Sequence, residues 1–326
     1  APCPSYSAWL AHRVAHALES LDTGRVWTAP RIERLLPRVE ALMAAPVEDG
    51  LTLAEALPQQ MEEDVFRRLA ANLLPAGRRL EDHPYRRFNA VGHRIGMALL
   101  AALERRRRVR GGDDVPRLIQ VAVLSGYVGI NLKSTASAAS ELLNRELAPI
   151  PSGWLDPRTA PEAVSPAALE AVARDLLNLT RRPPGRFGLE HLEVYAREVV
   201  EAQDPVLLVF FADDYLESLL DMRRLAVMLR GNPRLRVLFV PRNGRYGNDL
   251  ALEDMPGILA EPALAGFREL AAEGRIRVSP HGPRAGCLDP RDVSVRLLSQ
   301  IDDLGRGRRV IIETKGCRTF EMLRGE

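Results

Sequence analysis

The stretch that most constrains this chain is residues 205–230, PVLLVFFADDYLESLLDMRRLAVMLR. Val206 to Phe211 is an unbroken apolar run of strand length with no polar alternation, the pattern of a parallel strand buried on both faces. Asp213 and Asp214 come directly after it. Leu216, Leu219, Leu220, Leu225 and Met228 then recur at helical spacing, with Glu217 and Asp221 among them. A strand that ends in two carboxylates and turns into a helix delivers those carboxylates to the carboxyl edge of a sheet, where open α/β sheets bind ligands. Two adjacent acids there repel each other unless a proton or a cation intervenes. The pair therefore points to a hard metal held by oxygen ligands. The competing reading is that one aspartate caps the helix and Glu217 serves its dipole.

Three later strands weigh against capping alone. A second buried strand, 234–240 (RLRVLFV), leads into a polar loop with Arg242, Asn248 and Asp249. A third, 275–279, ends in a loop carrying His281, Gly282 and Gly286, and a fourth, 309–313, runs into Lys315 and Gly316. Amphipathic helical patterns separate these strands, which predicts βαβ units and a parallel sheet. Parallel topology sends all four strand ends to one edge. Acids for a cation, glycine loops whose N–H groups can face an anion, and a lysine together describe a metal-assisted phosphate site.

The first half reads differently. Helical periodicity dominates residues 5–45, 53–74, 89–108, 115–128 and 134–147, and no comparable strand pattern precedes residue 200. A Pro-rich stretch, 149–166, reads as a linker. The expected organisation is a helical domain over 1–150, a linker over 151–166, and an α/β domain over 167–326. The fold class is thus α/β: a C-terminal Rossmann-like parallel sheet in a three-layer αβα arrangement, with an N-terminal α-helical domain. The run Arg105 to Arg108 reads as a solvated helix end rather than a nucleic-acid patch.

A net charge of +2 does not call for nucleic acid as a partner. Cys3, Cys287 and Cys317 form neither a zinc spacing nor a disulfide framework, which fits a reducing compartment. No apolar run is long enough to span a bilayer, so the expected location is the cytoplasm. Of the histidines, His12, His16, His83, His93 and His191 fall in helical regions or connections and read as packing or surface residues. Only His281, in a strand-end loop, is a site candidate.

Taken in order, these residues resemble the DUF89 family, also called the damage-control phosphatase or ARMT1-like family. The matching positions are Asp213-Asp214 with Glu217, the Arg242 loop with Asn248-Asp249 and Asp254, Gly282 with Gly286, Val293-Ser294, and Lys315-Gly316 with Phe320-Glu321. The resemblance implies a phosphatase that uses one divalent metal ion (Mn, Co, Ni or Mg) and acts on a small phosphorylated metabolite such as a sugar phosphate, a nucleotide or a phosphopantetheine-type compound. By position, Asp213, Asp214 and Asp249 would hold the metal. Lys315 and the Gly282–Gly286 loop would hold the phosphate, and Asn248, Glu217 and Arg242 would stand beside them, with His281 a further phosphate candidate. The sequence departs from the family at Asp214, where many members carry Asn.

Two other function classes stay open on sequence. Carboxyl methylation with S-adenosylmethionine is one, although Phe211-Ala212-Asp213 offers no glycine turn for that cofactor. A non-catalytic protein that binds a phosphorylated ligand is the other. A haloacid-dehalogenase-type phosphatase is excluded, because Ala212-Asp213-Asp214-Tyr215-Leu216 lacks the Asp-x-Asp-x-Thr spacing.

Overall fold

The computed structural model describes residues 86–110, 115–133, 164–179, 192–244, 248–283 and 293–315, with the isolated positions 37 and 41. The helices expected over 53–74 and 134–147, most of the pattern over 5–45, and Gly286, Gly316, Phe320, Glu321 and the three cysteines lie outside the described residues. The chain divides into two compact units, 1–88 with 155–161 and 89–154 with 162–326. The elements below belong to the second, apart from residues 86–88.

Four parallel strands form one sheet in the order β3-β2-β1-β4: β1 (Val206–Phe211), β2 (Leu235–Val240), β3 (Ile276–Val278) and β4 (Arg309–Glu313). All six residues of β1 are buried, as an apolar run without alternation requires. Period-two geometry splits them between two faces. Leu207, Val209 and Phe211 join Leu238 and Val240 on one side, where α8 (Val295–Gly305) covers them through Leu297. On the other side Phe210 stacks on Phe239 at 5.6 Å, and Phe239 meets Phe267 edge-on at 5.4 Å. Phe267 belongs to α7 (Ala265–Ala272), which packs beside α5 (Tyr215–Gly231). Each such buried side chain contributes about 1.5–3 kcal/mol.

Helix α5 is buried nearly all round, because it lies between the sheet and two more helices. Helix α2 (Val115–Lys133) packs on it. Helix α1 (Arg86–Arg110) approaches through Gly96, where a Cβ would come within 2.6 Å of Leu219 Cδ1. Arg223 of α5 also bonds Glu104 of α1 at 3.0 Å. So α1 and α2, which the sequence groups with the N-terminal helices, lie in the same compact unit as the sheet. Helix α2 also runs unbroken through Gly126 and Gly129, where the sequence suggests a break. The cost of each glycine in a helix is only about 1 kcal/mol, small beside what the packing of α2 on α5 contributes.

The remaining helices are α3 (Pro166–Leu179), the short α4 (Leu192–Tyr195), which continues as a π-turn over Ala196–Val200, and α6 (Met255–Ala260). Part of the arginine run at the end of α1 is tied to one acid on its own surface: Arg107 and Arg108 share Glu104, at 2.8 and 3.5 Å.

A carboxylate cluster at the carboxyl edge

The winding of the sheet reverses between β1 and β4, since β2 and β3 lie to one side of β1 and β4 to the other. Such a switch point is where doubly wound sheets open a crevice beyond the strand ends. Asp213 and Asp214 stand at the end of β1, and Lys315 stands two residues beyond β4.

The loop after β2 is stitched onto the end of β1 by its backbone. Tyr215 N donates to Asn248 O and Leu250 N to Asp213 O, both at 2.8 Å, so Asp214 and Asp249 form an antiparallel bridge. The same loop folds back on itself, with Arg242 N on Leu250 O at 2.9 Å and Leu252 N on Arg242 O at 2.8 Å. Asp254 accepts from Ala251 N at 3.2 Å and starts the next helical turn. These bonds bring carboxylate oxygens of Asp213, Asp214 and Asp249 within 4.8 Å of one another. Asp214 occupies the N-cap position of α5, yet its side chain makes no capping hydrogen bond. The capping reading therefore does not account for its carboxylate.

Arg242 is 2% exposed and faces the acids, with Nε on Asp249 Oδ2 at 2.9 Å and a guanidinium nitrogen 3.7 Å from Asp213 Oδ1. One guanidinium against three carboxylates leaves surplus negative charge. Accordingly the Asp213 carboxyl is held well above its usual range, first by burial and then by Asp249 and Asp214, with Arg242 pulling the other way. A divalent cation would supply positive charge here, and three carboxylate oxygens are a donor set that fits a hard metal.

Beneath the cluster, α5 carries a polar stripe at helical spacing: Glu217, Asp221 and Arg224, all buried. Lys315 Nζ sits 2.6 Å from Glu217 Oε1 and 2.8 Å from Asp221 Oδ2. Arg224 bonds Asp221 at 3.0 Å, Glu313 at 2.6 Å and the Tyr195 hydroxyl at 2.7 Å. Tyr195 in turn donates to Glu313 at 2.7 Å. Burial pushes the Glu217 carboxyl up to about 7; Lys315 opposes this, and Asp221 and Asp214 reinforce it. Burial works against the Lys315 charge, but Asp221 and Glu217 more than offset it and hold the ammonium above its usual range.

The other sequence candidates separate. Asn248 is buried in the β2 loop and gives its carbonyl to Tyr215. Gly282 lies against the backbone of Pro241, where a Cβ would stand 1.8 Å from the carbonyl oxygen, so only glycine permits the approach. Asn243 N donates to Pro283 O at 3.0 Å, which ties the third strand-end loop to the second. Ser294 caps α8 by accepting from Leu297 N at 3.2 Å. His281 lines a different groove, together with Arg277 and Arg296.

Sequence reasoning missed Asp221, Arg224, Glu313 and Tyr195 as one network. The available signal was the Glu217, Asp221, Arg224 stripe on an otherwise apolar helix. It also set His93 aside as packing, whereas His93 Nδ1 meets the Tyr215 hydroxyl at 3.1 Å and Nε2 meets Glu261 at 3.0 Å. That contact clamps the residue next to Asp214, and nothing local in the sequence announces it.

The fold is similar to the crystal structure of a DUF89 family protein from Pyrococcus horikoshii. The TM-score is 0.58 and the identity 16%, over 98% of this chain and 85% of that one. At that identity the likeness establishes the α/β fold. No protein-family profile matches the sequence, and no curated protein matches it. Among the described residues, no helix is long and apolar enough to cross a membrane.

Proposed function

We propose that this protein is a divalent-metal-dependent phosphatase of the DUF89 kind, acting on a small phosphorylated metabolite. The observation that carries the reading is the convergence of Asp213, Asp214 and Asp249 at a strand-end crevice, with oxygens within 4.8 Å. These three residues would hold the ion (Mn, Co, Ni or Mg), which supplies Lewis-acid neutralisation of phosphate oxygens when bound. Arg242 limits the repulsion among the acids and keeps Asp249 and Asp213 oriented. Lys315, fixed by Glu217 and Asp221, provides a positive charge beside the crevice, where negative charge develops as phosphate departs. Glu217, with its carboxyl at about 7, is placed to hold or release a proton near neutral pH.

The test is phosphate release from a panel of sugar phosphates, nucleotides and phosphopantetheine-type compounds, with each metal and with chelator. Turnover that needs metal and disappears in Asp213→Ala and Asp249→Asn supports the reading. A folded protein that releases no phosphate with any metal overturns it.

A further inference from the structure

A groove of about 430 Å³ runs between the β3 edge of the sheet and α8, away from the carboxylate cluster; none of Asp213, Asp214 and Asp249 lines it. Arg277 of β3 and His281 form one wall, and Val295, Arg296, Ser299 and Gln300 of α8 the other. Its volume falls in the range of sites that hold small molecules.

Among the described residues that line the groove, two guanidinium groups stand against one carboxylate, Asp303. The Arg277 and Arg296 side chains form no ion pair among the described residues. Asp303, which also lines the groove, is paired with Arg306 at 3.1 Å. Exposed arginines alone are ordinary solvated groups. Gln300 sets this groove apart, being only 8% exposed. Its carbonyl is taken by the buried Ser279 hydroxyl at 2.7 Å, and Ser279 Oγ accepts from His281 N at 3.1 Å. These bonds fix the amide orientation. The Gln300 NH2 group has no partner among the described residues, borders the groove and is open to donate to a ligand acceptor there. Val295, 80% exposed, adds an apolar surface at the rim.

We propose that this groove is a second, metal-independent binding site for a phosphorylated small molecule with an apolar or planar body. Arg277 and Arg296 take the phosphate oxygens, since a guanidinium matches phosphate bidentately. The Gln300 amide donates a third contact, and the body of the ligand lies against Val295. The inference does not depend on the phosphatase reading, because it involves neither the carboxylates nor Lys315.

Calorimetric titration of the full chain with ADP and with pyrophosphate, in chelator, tests it. Without metal the three aspartates repel anions, so binding at the cluster is suppressed. The expected result is saturable one-to-one binding of both probes that weakens with salt, with ADP the tighter. Arg277→Ala and Arg296→Ala should each weaken it by about tenfold or more. Both arginines are exposed, and an unchanged melting temperature verifies folding. Asp249→Asn should leave the affinity within about twofold, as expected for sites that share no partners. Absence of saturable binding at millimolar probe, binding indifferent to both arginine variants, or binding lost in Asp249→Asn would each overturn the proposal. Equal affinity for ADP and pyrophosphate would overturn the role given to Val295.

Discussion

Replacing Lys315 by Met removes an ammonium that lies 2.6 Å from Glu217 and 2.8 Å from Asp221. Asp221 keeps Arg224 at 3.0 Å, so the loss falls mainly on Glu217. Breaking a buried pair from one side costs about 3–5 kcal/mol, because the remaining charge stays buried without compensation. Glu217 escapes part of this by binding a proton, and its carboxyl already stands at about 7. Each further unit of rise corresponds to about 1.4 kcal/mol. Holding that proton is easy at pH 6 and costly at pH 8, so the destabilisation should be near the low end at pH 6 and the high end at pH 8. Lys315→Met combined with Glu217→Gln removes both charges, and should recover at least half of the loss at pH 8 and flatten its pH dependence. Denaturant unfolding in chelator at the two pH values measures all of this. A loss below about 1 kcal/mol for the single variant at pH 8, or a double variant no more stable than the single one, would refute the buried-pair reasoning. The double variant also separates folding from function, since it should keep its metal-induced thermal shift while losing phosphate release.

Protons and metal should compete. Glu217 is raised from 4.5 to about 7 and Asp213 is raised as well, so the metal-free fold binds more protons than the unfolded chain across that window. Stability should therefore fall as pH rises through it, with Glu217 contributing on the order of 3 kcal/mol. Thermal melts should accordingly show a larger gain from Mn at pH 8 than at pH 5, and a flat profile would contradict the shifts. Asp249→Asn should weaken metal binding by about tenfold or more, read as loss of the metal-dependent melting shift, because it removes one of the three carboxylates proposed to hold the ion. Gly282→Ala should destabilise the protein by about 1–3 kcal/mol, the usual cost of overpacking, since its Cβ would overlap the Pro241 carbonyl at 1.8 Å; an unchanged melting temperature would mean the loop shifts freely.

Residues whose surroundings are set locally were legible in the sequence. The uniform apolarity of Val206 to Phe211 specified a doubly covered parallel strand, and strand–helix alternation specified the sheet. Together they placed Asp213, Asp214, Asp249 and Lys315 on one edge. Boundaries that depend on packing were not legible. The continuity of α2 through its glycines and the docking of α1 through Gly96 follow from the shape of α5, which no local window contains. Tertiary structure alone decided the pairings. Lys315 lies between Glu217 and Asp221, and Arg224 between Asp221 and Glu313, because β4 inserts beside β1, whose Val206 pairs with Arg309 far along the chain. His281 obeys the same logic in reverse. Its strand-end position suggested the ligand-binding edge; β3 is the outermost strand on its side of the sheet, and His281 lines a groove there with Arg277 and Arg296. Sequence determines which groups reach the carboxyl edge, because strand direction and side-chain alternation are local. Which of them meet depends on strand order, and strand order is settled by the burial of whole elements.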